Sequence, residues 1–314
     1  MEFYSRRDPT DPANRLGFYL SASRAFLGHL HVAQQALDLD AINVIIGYAI
    51  LQAGIDHLDA PGGQGGRYAS LATPPPDELR RPIRISALAR SLNLSRETVR
   101  RRVDTLVDRG IASRVERGLR VTTAFLSTDT YQSIVFSQME PILGFLLQVG
   151  YPGNPEMGDA RAWLDHRAVE DRARQFSRLM LRLQLRHYET LSRLGGDLHA
   201  GLLISLVLSN AGVASSAQDE TPAPTATPRL RLAEALTLNR ETTRRCLARL
   251  TEAGQLVRTP AGYLPGPALL SGDRLEAALS DTGKNIRQMV RLLATHGFIH
   301  ESDPAAGVVR RASV

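Results

Sequence analysis

Arg96, Glu97, Thr98, Arg100 and Arg101 fall within six consecutive residues, and Arg240, Glu241, Thr242, Arg244 and Arg245 repeat them 144 positions later. These side chains suit recognition better than catalysis. A guanidinium fork matches the two acceptors on the major-groove edge of guanine, and a carboxylate can accept from the amino group of cytosine. The spacings of common covalent chemistry are missing: there is no GxxxxGK[ST] loop, no GxSxG elbow and no CxxC pair. His29 and His31 are two residues apart, which on a helix sends them to different sides and makes a poor metal pair. No enzyme, metal site or cofactor is expected.

A helix must hold these groups. Ser95 and Asn239 precede the two patterns, and both are good N-caps, because a short side-chain oxygen accepts an orphan backbone N–H. Val99, Val103, Leu106 and Val107 fall on one face of the first helix, with Glu97, Arg101, Asp104 and Asp108 opposite. Arg96 sits at the N-terminal tip, and Thr98 and Arg100 lie on the flanks. Gly110 stands where a C-cap needs a left-handed residue. Arginines fill the first half of the helix and Asp104 and Asp108 the exposed second half, so only the N-terminal end attracts nucleic acid. A short hairpin is expected next: Ala112 to Val115 against Leu119 to Thr123 around Glu116-Arg117-Gly118. Its counterpart is Leu256 to Thr259 against Tyr263-Leu264 around Pro260-Ala261-Gly262. Arg114, Arg117, Arg120 and Arg258 on these hairpins are expected to meet phosphates or a minor groove.

The shift of 144 also superposes Leu92, Leu94, Leu106, Gly110, Arg114 and Gly118 on identical residues. Each copy reads as helix, tight turn, helix and hairpin, the order of a winged helix-turn-helix. The string Arg96-Glu97-Thr98-Val99-Arg100-Arg101 resembles the recognition helix of the Crp–Fnr regulators and, more loosely, that of other bacterial winged-helix regulators such as the MarR group. That resemblance implies base contacts by Arg96, Glu97 and Arg101, and by Arg240, Glu241 and Arg245. It covers only about residues 80–124 and 229–268. Nothing N-terminal resembles the cyclic-nucleotide-binding β-roll of the Crp–Fnr family, so no effector is implied.

Charge follows the same two windows. From Arg80 to Val121 twelve arginines face four acids, a net +8, and from Arg229 to Tyr263 seven face three, a net +4. The whole chain carries +6, so the remainder is acidic, and the basic surface is local to the two motifs. One cysteine, Cys246, excludes an intramolecular disulfide and suits a reducing cytoplasm. The polar N-terminus does not read as a signal peptide. The apolar run Ala41 to Ile55 is too short to span a bilayer and reads as a core helix, so no membrane association is expected.

The flanks of the motifs recur as well. A long helix (Pro12 to Leu37; Asp171 to Arg193) precedes an apolar one (Ala41 to Ala53; Ala200 to Asn210), then a loop (from Pro61 to the Thr73-Pro-Pro-Pro run; Ser215 to Pro228) that reads as flexible. Leu126-Ser127-Thr128-Asp129 matches Leu270-Ser271-Gly272-Asp273. The expected organisation is a disordered tail (1–11), repeat one (12–151), a linker (152–170), repeat two (171–298) and a second tail (299–314). The expected fold is mainly α, an internal duplication with small β-wings and a pseudo-two-fold arrangement. The expected function is sequence-specific duplex-DNA binding by a cytoplasmic bacterial transcription regulator that competes with or recruits RNA polymerase. The two halves would form a built-in dimer; the alternative is homodimerisation between chains. Two other functions fit the same residues: a plasmid-type replication initiator on iterated repeats, and a helical adaptor that does not touch DNA.

Overall fold

Asp40 and Asp197 each open an apolar helix by accepting a backbone N–H three residues on, from Asn43 and from Ala200. Those helices are α2 (Ala41–Ile55) and α9 (Leu198–Asn210). Ile42, Ile45, Ile46 and Ile50 of α2 are fully buried, each worth about 1.5–3 kcal/mol relative to exposure. The stretch Ala41–Asp59 is long and apolar enough to cross a membrane, but 72% of its most apolar window is buried inside the protein, which accounts for the composition. The computed structural model describes residues 12–60, 62–137, 139, 141–142, 144–145, 164–211 and 224–299. Thirteen α-helices among them, with two small antiparallel sheets, make the chain mainly α.

In order, α1 (Pro12–Leu37) and α2 lead to α3 (Ile85–Ser91), α4 (Arg96–Asp108), the hairpin β1 (Ala112–Val115) and β2 (Gly118–Val121), α5 (Thr123–Leu126) and α6 (Asp129–Ser137). The second half has α7 (His166–Asp171), α8 (Ala173–Gly195), α9, α10 (Arg229–Leu236) and α11 (Arg240–Glu252). The hairpin β3 (Leu256–Thr259) and β4 (Gly262–Pro265), α12 (Pro267–Leu270) and α13 (Asp273–Thr295) complete it. Short helix, turn, longer helix and hairpin thus recur at the 144-residue offset. The turns agree to the residue: Asn93 and Thr237 take φ of 50° and 48°, and Gly110 and Gly254 both take 68°.

Each hairpin has a third partner that is not apparent in the sequence. Ile83 bridges to Leu119 and Thr227 to Tyr263, in both cases antiparallel. Gly118 and Gly262 are required by that approach. A Cβ on either would lie 2.4 Å from the carbonyl oxygen of Ile83 or Thr227. The hairpin loops are two residues, Glu116-Arg117 and Pro260-Ala261, because Val115 pairs with Gly118 and Thr259 with Gly262.

The two halves share their interior. One apolar cluster joins α2, α4 and the first hairpin to α8, α9, α11 and the second hairpin. A second joins Phe18 and Phe26 of α1 to Phe176 and Met180 of α8 and to Ile286 and Met289 of α13. The crossings are reciprocal: Gln34 of α1 donates to Thr237 Oγ1 in the second turn at 2.9 Å, and Asn93 in the first turn donates to the Gly196 carbonyl just past α8 at 2.9 Å. Arg178 of α8 is buried and forms a double hydrogen bond with Asp59, Nε to Oδ2 at 2.7 Å and Nη2 to Oδ1 at 2.8 Å. It also donates to the carbonyls of Tyr68 and Gly65. The Gly-rich stretch after Pro61, expected to be a flexible loop, therefore contains a 3-10 turn, Gly65–Tyr68, whose carbonyls are taken up by α8. Residues 164–170, expected within the linker, begin with a bridge from Leu164 to Ile299 and continue as α7. Residue 299, expected to open the second tail, is instead buried as Ile299 against Leu164, while residues 1–11 and 300–314 of the expected tails, linker residues 152–163 and loop residues 215–223 lie outside the described residues.

Between α1 and α8 runs a buried polar chain. His29 bonds Gln184 at 3.0 Å and Tyr48 at 3.2 Å, and His187 bonds Ser23 at 3.1 Å. Burial pushes both histidines down, His29 to about 4 and His187 to about 3. Both are neutral in the folded chain, whereas the unfolded chain takes up protons near pH 6.5. Their contribution to stability is therefore fully present above pH 6.5 and is lost as pH falls towards 4, by several kcal/mol in total. The urea midpoint should hold from pH 8 to 7 and decline steadily from 6.5 to 4.5; a flat midpoint across that range contradicts neutral burial. The shared clusters predict a second outcome. A chain cleaved between residues 152 and 163 should run as one species on gel filtration, and parts that separate without denaturant would contradict a shared core.

Candidate nucleic-acid interface

Helices α4 and α11 each present one polar face and bury the other. Val99, Val103 and Leu106 fix α4 in the core, and Thr243, Leu247 and Leu250 fix α11. The caps form as expected. Ser95 Oγ accepts from the Thr98 N–H at 3.0 Å, and Asn239 Oδ1 accepts from Glu241 and Thr242 at 2.8 and 3.4 Å. Each is worth about 1 kcal/mol to its helix. Thr98 is half-buried with its hydroxyl 2.8 Å from Ser95 Oγ, while Thr242 is exposed.

Exposed polar side chains gather at the N-terminal end of both helices. Arg96 and Arg101 on α4, and Arg240 on α11, are exposed, and their side chains form no ion pair or hydrogen bond among the described residues. Glu97 receives Arg100 through two bonds, Nε to Oε2 at 3.0 Å and Nη2 to Oε1 at 2.8 Å. Glu241 receives Arg244 in the same way at 2.8 and 2.7 Å, and Arg245 Nε as well at 2.8 Å. The bond from Arg100, with its charge, holds the Glu97 carboxyl below the usual range. Arg244 and then Arg245 bring Glu241 down to about 2. Both carboxylates are ionised at neutral pH and act as acceptors only.

Arg102, counted in the basic run of α4, does not face out with its neighbours. It turns inward to the Asp40 carboxylate and to Asn43 Oδ1 at 2.7 Å, while Asn43 Nδ2 donates to the Arg102 carbonyl at 3.0 Å. The cap of α2 therefore also clamps α4. In the second half Cys246 stands at the place of Arg102, buried, with burial pushing its thiol up to about 11. The clamp on α11 comes one turn later, where Arg249 pairs with Asp197, the cap of α9.

The hairpin arginines divide. Arg114 pairs with Asp104 of α4, tying hairpin to helix. Arg120 is half-buried, with Nη2 2.7 Å from Asp77 Oδ2 and Nη1 donating to the Asp77 carbonyl at 3.0 Å. Asp77 also takes Arg80 and the Thr123 hydroxyl, and that hydroxyl first, then the two guanidiniums, lowers its carboxyl. Arg114 and Arg120, expected at phosphates, are thus engaged within the protein. Arg117 at the first hairpin tip and Arg258 on β3 are exposed with no partner among the described residues. Arg258 lacks one because Ala248 occupies the place of Asp104.

No protein-family model, curated protein or solved structure matches the chain. The residues themselves therefore carry the functional assignment.

The geometry separates two neighbouring arginines. Arg102→Ala strands Asp40 and Asn43 and should lower stability by about 1–3 kcal/mol. Arg101→Ala touches nothing and should stay within about 0.5 kcal/mol of the parent. Thermal unfolding of both variants checks the order, and equal losses would contradict the placement of Arg102.

Proposed function

We propose that the protein is a sequence-specific duplex-DNA-binding transcription regulator in which the two units act as duplicated winged helix-turn-helix domains. The observation that carries this reading is the state of the arginines on α4 and α11. Among the described residues Arg96, Arg101 and Arg240 stand exposed and without an ion pair in the N-terminal halves of two capped helices, at equivalent or neighbouring positions of the two units. A helix that enters a major groove by its N-terminus contacts bases from that end. Arg117 and Arg258 on the neighbouring hairpins supply cations for the phosphates beside the groove. RNA polymerase is the partner that such a protein blocks or recruits at a promoter.

The test is quantitative. Duplex binding by the full chain should weaken steeply with salt, and Arg117→Ala should lower the salt slope by about 1 with little change in site preference. At the selected site Arg101→Ala should cost about 1–3 kcal/mol and relax preference at one base pair. If Arg101→Ala binds selected and random duplexes as the parent does, base reading by Arg101 is wrong; if the parent shows no salt-dependent duplex binding, the DNA reading is wrong. Mapping of bound sites in cells should place them at promoters rather than in iterated origin repeats.

A further inference from the structure

We propose that the two units read unlike half-sites, so that the protein binds duplex DNA in one direction. In this arrangement α4 specifies base pairs, and α11 with its hairpin supplies mainly backbone contacts. This inference rests on the DNA-binding reading above. Three independent differences at equivalent positions carry it.

The first is the guanidinium inventory. Glu97 engages Arg100 alone and leaves Arg101 outward, whereas Glu241 engages both Arg244 and Arg245. Only α4 keeps an unpaired arginine at that position. Such exposed pairs are weak and DNA can displace them, so the pairing biases the two helices without deciding between them.

The second is the clamp. Helix α4 is held at Arg102, six residues from its tip at Arg96, by Asp40 and Asn43 together. Helix α11 is held at Arg249, nine residues from Arg240, by Asp197. At 1.5 Å per residue those clamps lie about 9 Å and about 13.5 Å from the tips. Base-edge recognition requires side chains fixed against a narrow set of hydrogen-bond directions, whereas a phosphate accepts a cation from many. Both helices are also seated by buried side chains at equivalent positions, so the difference lies in the polar clamp alone: nearer the tip and doubly bonded on α4, which suits bases, farther from it and singly bonded on α11, which suits phosphates.

The third is the hairpin. The first is pinned by Arg114 to Asp104 and by Arg120 to Asp77, and presents Arg117 at its tip. The second has Ala248 and Leu264 in place of Asp104 and Arg120, and Pro260-Ala261 at its tip. Arg258 stays unpaired on the strand, and exposed Arg229 and Arg231 at the start of α10 lie where the first unit has Ile85 and Ala87. The first unit in turn has exposed Arg84 and Arg90 where the second has Pro228 and Glu234, so the cations beside the two recognition helices are placed differently.

Selection from a random duplex library with the full-length protein tests the idea. The expected motif has one half with strong preferences, including a guanine, and a second half with little preference. Arg101→Ala should lose about tenfold preference at one base pair of the strong half. Arg245→Ala should weaken all duplexes alike and leave the motif unchanged. A palindromic motif, whether from equal halves of one chain or from two chains, overturns the proposal while leaving DNA binding intact. So does an Arg245→Ala variant that erases preference at a base pair as fully as Arg101→Ala. No enrichment over the starting library overturns the DNA-binding reading itself.

Discussion

Arg178 and Asp59 form a charge pair that the fold cannot open without cost. Both side chains are almost wholly buried, one on α8 and the other after α2. Taking two charges out of water costs several kcal/mol per ion, and a buried pair recovers that only when its remaining donors and acceptors are filled. Here the guanidinium satisfies both carboxylate oxygens and the carbonyls of Tyr68 and Gly65. Gly65 is part of the fit, since a Cβ there would lie 2.2 Å from Asp59 Oδ1. A methionine pair of equal volume could be as stable, but it would not fix which loop meets which helix. One turn earlier Arg174 adds the carbonyls of Ser70 and Leu71. The segment after α2 is thereby fastened to the second half of the chain, and with it the relative placement of α4 and α11.

Arginine does nearly all the cationic work in this molecule, because Lys284 is the single lysine. Its planar fork explains how one residue type serves opposed ends. Arg178 and Arg102 each address two or more partners at once, and Arg120 both the carboxylate and the carbonyl of Asp77, which a point-like ammonium does less well. The same fork, left exposed at Arg96 and Arg101, is suited to the paired acceptors of guanine. Whether an arginine holds the fold or faces outward is decided by the carboxylates and free carbonyls within reach, carbonyls rather than a carboxylate in the case of Arg174. Asp40, Asp59 and Asp77 each draw one or two arginines inward, and Asp104 and Asp197 each bind one at the surface.

That sorting marks the limit of what the sequence reveals. Helix periodicity placed α1 to the residue, α2, α8 and α9 to within two, and the caps of α4 and α11, because apolar spacing and cap residues are local signals. The 144-residue shift carried through to φ values at both turns. Apolar spacing sets Arg101 opposite the buried face, but the tie from Arg102 to Asp40, 62 residues earlier, leaves no local mark. Arg120 lies 43 residues from Asp77, and the stretch after Pro61 resembles a flexible loop because its partner, Arg178, is more than a hundred residues away. Ile83 and Thr227 are single bridges in irregular chain, too short to leave a strand pattern. Contacts set by tertiary pairing leave no periodicity, so the candidate helices and their outward arginines were legible while the internal partners of Arg114 and Arg120 were not.

A shared core constrains how two such helices can meet one partner. Were they joined by a free linker, the second contact would follow the first at an effective concentration set by linker length. With a common interior and reciprocal bonds such as Gln34 to Thr237 and Asn93 to Gly196, the separation is fixed by the fold. On duplex DNA, successive major grooves on one side recur about every 34 Å, so a rigid pair of helices fits one phase of the double helix and not its neighbours. Any residual mismatch must be absorbed by the DNA, whose bending costs depend on the base steps between the contacts. Under the DNA-binding reading, positions that no side chain touches would therefore still influence affinity through their stiffness.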